Sequence, residues 1–152
     1  MSIYSTILTQ VKDRIEGLSL NGSPSVYRRK RFIVLEDEGD IIVVSPGQEN
    51  VIGDSDGEDF EGGCIIRYPV FIGIALPYDG ALLNGSSEDR MLDMREDIRQ
   101  SVYSITAVAP SEPVVGVSID LQPAFDRTGL DLDNMNVSAI MVYYDIHEQR
   151  EG

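Results

Sequence analysis

From Cys64 to Leu76 every even-numbered residue is apolar: Cys64, Ile66, Tyr68, Val70, Ile72, Ile74 and Leu76. Side chains alternate between the two faces of a β-strand, so this run specifies a long strand with one fully buried face. The odd positions Ile65, Arg67, Pro69, Phe71, Gly73 and Ala75 are mixed, as expected of a face that is only partly covered. A sheet built around this strand is the first requirement on the fold. Pro69 cannot donate to a ladder, and it predicts an edge position or a bulge.

Two segments carry the helical period instead. Tyr4, Ile7, Leu8, Val11, Ile15 and Leu18 fall on one face at 3.6 residues per turn, with Gln10, Lys12, Asp13, Arg14 and Glu16 opposite. Ser2 or Ser5 is the expected cap, and the Gly17 to Pro24 stretch ends the helix. Met91, Met94 (or Arg95), Ile98, Val102 and Ile105 form a second stripe. Ser86 stands as its N-cap, and Asp89 takes the glutamate's place in a capping box. Between the helices, Phe32-Ile33-Val34-Leu35 and Ile41-Ile42-Val43-Val44 flank a short loop with Gly39 and read as a β-hairpin. Ser45 to Gly63 reads as a loop. After the second helix, Val115, Val117, Ile119 and Leu121 alternate with polar residues, and Val137 to Ile146 forms the last strand. The order is α-β-β-β-α-β-β. It predicts an α+β domain with one mixed or antiparallel sheet and both amphipathic helices on one face.

The chain has 152 residues, and 12 Lys+Arg against 26 Asp+Glu give a formal charge of −14. One domain over 1–152 is expected at this length. With 42% hydrophobic and 25% charged residues, the composition is that of a globular protein rather than a disordered acidic chain. The charge works against general affinity for nucleic acid and for anionic membrane surfaces. The N-terminus has no signal-peptide pattern, and no apolar run reaches membrane-spanning length. A soluble intracellular product is expected, and the single free Cys64 is compatible with a reducing compartment.

Chemistry-bearing motifs are few. The acidic run Asp54-Ser55-Asp56-Gly57-Glu58-Asp59-Phe60-Glu61 invites comparison with a calcium loop. Gly57, however, is fourth from Asp54 rather than sixth, and Ile65 stands where the twelfth-position glutamate should be. A solvated hairpin loop is the simpler reading. No nucleophile elbow, phosphate-binding glycine loop or dinucleotide fingerprint is present. Cys64 begins an apolar alternation and reads as a small core residue. The lone His147 leaves little for a triad or a metal site. No catalytic residue, cofactor or metal is expected, and the chain is not read as an enzyme.

Arg28-Arg29-Lys30-Arg31 gathers four of the 12 cations in an otherwise acidic chain. On a strand they must point alternately to both sides of the sheet. The simpler reading is a solvated strand end. The alternative is a contact between copies, the basic strand of one subunit meeting an acidic loop of the next. The candidate interface residues are therefore Arg28, Arg29, Lys30, Arg31, Asp54, Asp56, Glu58, Asp59 and Glu61.

The order of elements resembles that of the tail terminator (tail completion) proteins of long-tailed bacteriophages and related prophage minor tail proteins. The likeness is carried by Ile7 to Leu18, Tyr68 to Ala75 (Tyr-Pro-Val-Phe-Ile-Gly-Ile-Ala), Met91 to Ile105 with Ile98-Arg99, and Val137 to Asp145. It is a pattern of elements over nearly the whole chain and not a specific motif. The resemblance implies a homo-oligomeric ring, usually a hexamer, that caps the tail tube and joins the tail to the head. Its partners would be the tail-tube protein and a neck or connector protein, at the tail–neck junction of a virion assembled in the host cytoplasm. An acidic lumen would let DNA pass without specific binding, and the loop Glu49 to Glu61 is a candidate for the lumen or the tube-facing surface. A head–tail connector or neck protein, and a non-viral adaptor domain, are the competing expectations.

Overall fold

Ser2 opens the first helix by accepting a hydrogen bond from the Ser5 backbone N–H at 3.0 Å, which satisfies one of the unpaired donors at a helix start. This helix, α1, spans Ile3–Glu16 and buries Ile7, Leu8, Val11 and Ile15, the stripe that the spacing predicts. The computed structural model describes residues 2–35, 38–54, 63–77, 86–123 and 135–149. The second helix, α2, spans Ser86–Val102 and buries Met91, Met94, Ile98 and Val102. Ser86 is its first residue rather than the cap before it, and the side chains of the expected capping serine lie outside the described residues. Ile105 does not extend the stripe. The helix ends at Val102, the Ser104 N–H turns back to the Val102 carbonyl at 3.0 Å, and Ala107 and Val108 take the buried positions.

Six strands form one sheet: β1 (Ser25–Arg28), β2 (Ile41–Pro46), β3 (Asn50–Asp54), β4 (Gly63–Pro77), β5 (Val114–Leu121) and β6 (Met135–Gln149). The strand order is β1-β2-β4-β6-β5, with β3 also paired to β4. Every pairing is antiparallel except β1 with β2. Both helices lie on one face. There Tyr68, Val70, Ile72, Ile74 and Leu76 of β4 meet Ile42, Val44, Ile140, Val142, Tyr144 and Ile146 and the apolar stripes of α1 and α2 in one buried cluster, with Ile66 partly buried against it. Cys64, expected in the core, is only half-buried at the strand's start. Full burial of each such aliphatic side chain contributes about 1.5–3 kcal/mol. Helix α1 covers β1 and β2, and α2 covers β6. The architecture is the expected α+β sheet with two helices on one face.

Four details differ from the sequence reading. First, the two runs around Gly39 are not a hairpin. The first strand ends at Arg28 and runs parallel to β2, so the described residues 29–35 and 38–40 belong to a crossover, which parallel strands require and a tight turn cannot supply. Phe32 and Val34 of this crossover cover the outer sheet face beside Ile41, Val43 and Ala75, while Ile33 and Leu35 are 37% and 57% exposed. Second, the stretch after Ser45 is not all loop. Strand β3 continues the β2 ladder along β4 after a break at residues 47–49.

Third, Pro69 is central, flanked by β6 on one side. It falls at the break between β2 and β3, where its carbonyl accepts from the Gly47 N–H at 3.3 Å and from the Tyr4 hydroxyl at 2.5 Å. No ladder donor is needed at that point. Fourth, a bulge between Val114 and Gly116 interrupts the alternation of β5. Val114, Val117 and Ile119 pack against the core, whereas Val115 and Leu121 are each about half exposed, at 48% and 49%.

Candidate functional site

The basic run divides into an engaged half and an exposed half. Arg28 ends β1 and turns to the helix face, where its guanidinium donates to Thr9 Oγ1 at 3.1 Å, Ser5 Oγ at 3.2 Å and the Ser5 carbonyl at 3.4 Å of α1. Arg29 points to the other face. It lies 4.4 Å over the Tyr27 ring and donates to both carboxylate oxygens of Glu38, at 2.7 and 2.5 Å. The same guanidinium reaches the Ile33 carbonyl at 2.6 Å, so it organises the crossover. The Arg29 hydrogen bonds, aided by the Leu35 backbone N–H, hold the Glu38 carboxyl down at about 2. Glu38 in turn holds the Arg29 guanidinium above its ordinary value. Lys30 and Arg31 are exposed and have no carboxylate within 4 Å among the described residues.

The acidic half of the candidate interface is only partly visible. Asp54 is the last residue of β3, paired with Cys64; Asp56, Glu58, Asp59 and Glu61 lie outside the described residues. Arg28 is level with Val44 and Ile72, eight residues along β4 from Cys64, which at strand rise is about 27 Å. The basic run and Asp54 are therefore not brought together within one molecule.

A second charged surface lies on α2, where the sequence gathers five acids from Glu88 to Asp97. Helix α2 exposes Asp89, Asp93, Glu96 and Asp97 as an acidic stripe at helical spacing. Next to it, Leu92, Arg95, Glu96 and Arg99 of α2 and Leu121 of β5 line a shallow cleft of about 240 Å³. Leu92 and Leu121 are 40% and 49% exposed. Arg95 is buried, donating to Ser138 Oγ at 2.8 Å, the Ala139 carbonyl at 2.6 Å and the Gln122 carbonyl. Its burial lowers the guanidinium's affinity for its proton, and among the described residues its hydrogen-bond acceptors are all neutral. The 3–4 spacing of Leu92, Glu96 and Arg99 was the available signal. It was masked because Leu121 comes from another element.

The open sheet face carries a third polar group. Arg67 donates to both oxygens of Asp145, at 2.8 and 3.1 Å, across the β4–β6 pair, and lies 5.5 Å over the Tyr143 ring. Gly116 of β5 leaves room for this carboxylate, since a Cβ there would fall 3.2 Å from Asp145 Oδ2. Cys64 is half-buried at the start of β4. Nearby, the Tyr68 hydroxyl donates to Glu148 Oε2 at 2.6 Å, and burial first, then this carboxylate, raises the phenol's pKa. Among the described residues no three His, Cys, Asp or Glu side chains converge as metal ligands, and no helix is long and apolar enough to cross a membrane.

These groups are suited to electrostatic and apolar contact with a macromolecule: exposed cations on the crossover, an acidic helix stripe, and a leucine-lined cleft. No protein-family model matches the chain, and no curated protein matches it in sequence.

Proposed function

We propose that this chain is a structural virion protein of the tail-terminator type, forming a ring that caps the phage tail tube and joins the tail to the head. The observation that supports the reading is the architecture: two amphipathic helices on one face of a single sheet, in an order, α-β-β-β-β-α-β-β, that follows the expected one roughly and has one strand more. The distribution of charge supports it as well. A subunit that groups the exposed cations Arg28, Lys30 and Arg31 on one segment and the exposed acids Asp89, Asp93, Glu96 and Asp97 on a helix can meet its copies in one orientation. The ring acts by occupying the end of the tube, so it requires no catalytic group. A chain of net charge −14 repels DNA passing through the ring instead of binding it.

The test is polymerisation of purified tail-tube protein with and without this chain, followed by electron microscopy. The expected result is tubes ending in a ring and no longer elongating. Unchanged elongation with bare ends would overturn the reading, and rings that bind the head portal but not tubes would replace it with a connector role.

A further inference from the structure

We propose that the crossover segment of one copy, through Lys30, Arg31, Ile33 and Leu35, docks on the α2–β5 cleft of a second copy. This rests on the ring-forming reading above and names the contact that would build the ring. Two observations carry it. The crossover exposes Ile33 and Leu35 beside Lys30 and Arg31, whereas the cleft exposes Leu92 and Leu121 with Glu96 in its lining, and Asp93 and Asp97 are exposed farther round the same helix. Lys30 and Arg31 on one surface thus face the acidic flank of α2 on the other, while Arg95 is taken up by Ser138, Ala139 and Gln122 and Arg99 closes the opposite side of the cleft.

The order of the groups also matches. Along the crossover, Lys30-Arg31 comes first, then Ile33 and Leu35. Around α2 at 100° per residue, the order is Asp97, Asp93, Glu96, then Leu92, then Arg99. Bases thus meet the acids of α2, and Ile33 and Leu35 meet Leu92 and Leu121.

The placement sets the geometry of assembly. The crossover covers the β1–β2 side of the outer sheet face, while the cleft lies at the β5 edge beside a helix on the other face. Two surfaces that point away from each other cannot both engage a single partner, so the contact is head-to-tail. Repetition of a heterologous contact gives a closed ring when the rotation per subunit permits and an open filament when it does not.

The experiment uses the full chain and follows mass in solution by light scattering after chromatography, with circular dichroism to confirm folding. Leu35→Asp removes the apolar tip and Leu92→Asp the receiving surface; each is expected to weaken self-association at least about 30-fold. Mixed together, the two variants retain one intact tip and one intact cleft. They should form a one-to-one heterodimer that grows no further, whereas the wild-type protein grows beyond a dimer, which a two-fold symmetric interface does not allow. The double reversal Lys30→Glu/Arg31→Glu should likewise disassemble the protein, and adding Asp93→Lys/Asp97→Lys in the same chain should restore it.

A monomeric wild-type protein at micromolar concentration, unchanged assemblies of both aspartate variants, or a mixture without heterodimer would each overturn the contact. The outcomes separate it from the functional reading. Assemblies that use this contact but fail to stop tube growth leave the contact standing and remove the tail-terminator role. Rings that stop tube growth yet survive both aspartate variants do the reverse.

Discussion

The ring of Phe32 fills the space that a side chain at residue 73 would need: a Cβ on Gly73 would fall against Cδ2 and Cε2 of that ring. The glycine of a long apolar strand is thus explained by the crossover that covers it, and the crossover by the glycine. Gly73→Ala is expected to destabilise the protein by about 1–3 kcal/mol, because the ring must move or the strand must shift. Phe32→Ala should cost about 1–2 kcal/mol through lost burial of a half-buried ring. In the double variant the new methyl occupies the vacated space. A double-mutant cycle by urea denaturation should therefore give a combined loss smaller than the sum by about 1 kcal/mol. Strict additivity would mean that the crossover does not rest on Gly73 in solution.

Arg95 joins α2 to two strands through three acceptors, Ser138 Oγ, the Ala139 carbonyl and the Gln122 carbonyl, and Ser138 is fully buried. Arg95→Ala leaves these groups without their donor and is expected to cost about 2 kcal/mol. Arg95→Met keeps most of the volume and should lose less. Because Gln122 follows β5 directly, hydrogen exchange should accelerate along Val114–Leu121 in both variants more than along β4. Equal protection of β5 in wild type and Arg95→Ala would sink this account of how the strand is fastened.

Glu38 gives a pH signature with a defined sign. Its folded pKa is lowered from 4.5 to about 2 by the Arg29 hydrogen bonds and the Leu35 N–H. A lowered carboxyl contributes stability that is present above its unfolded pKa and is lost as pH falls toward the folded one. The stability difference between wild type and Glu38→Gln should thus be constant above about pH 6 and shrink between 4.5 and about 2. High salt should reduce it as well, since the pair lies near the surface. Urea midpoints measured across that range decide the matter; a difference that persists unchanged at the acid end would contradict the assignment.

What could be read from the sequence follows the physics of burial. The strand at Cys64–Leu76 and the two helices each bury one face, so period 2 and period 3.6 were visible in the residues themselves. Phe32-Ile33-Val34-Leu35 misled because an apolar run that alternates over a sheet without pairing has the composition of a strand. Asn50–Asp54 was hidden because its Gly and Asp are poor strand formers and only Val51 and Ile52 carry the signal. Sequence proximity grouped Arg28 to Arg31, yet whether a cation is spoken for depends on Ser5, Thr9 and Glu38, whose approach is set by the fold. Of the α2–β5 cleft only the helical side, Leu92, Glu96 and Arg99 at 3–4 spacing, was legible, since Leu121 joins it from another element.

The acidic run following β3 offers the most direct test of the proposed role of charge. Replacing Asp54, Asp56, Glu58, Asp59 and Glu61 with Ser removes five of the 26 acids and brings the net charge from −14 to −9 (−14 + 5). If these residues face the lumen or the tube, two effects should separate from folding. Thermal stability should stay within about 0.5 kcal/mol of wild type, as for surface substitutions generally. Tail attachment, scored by complementation and microscopy, should fall. DNA held by the isolated ring should rise at low ionic strength and return to the wild-type level as salt is added, because the repulsion removed is electrostatic and screened within about 10 Å at 0.1 M. Unaltered ring formation together with unaltered tail attachment would place the working surface elsewhere on the subunit.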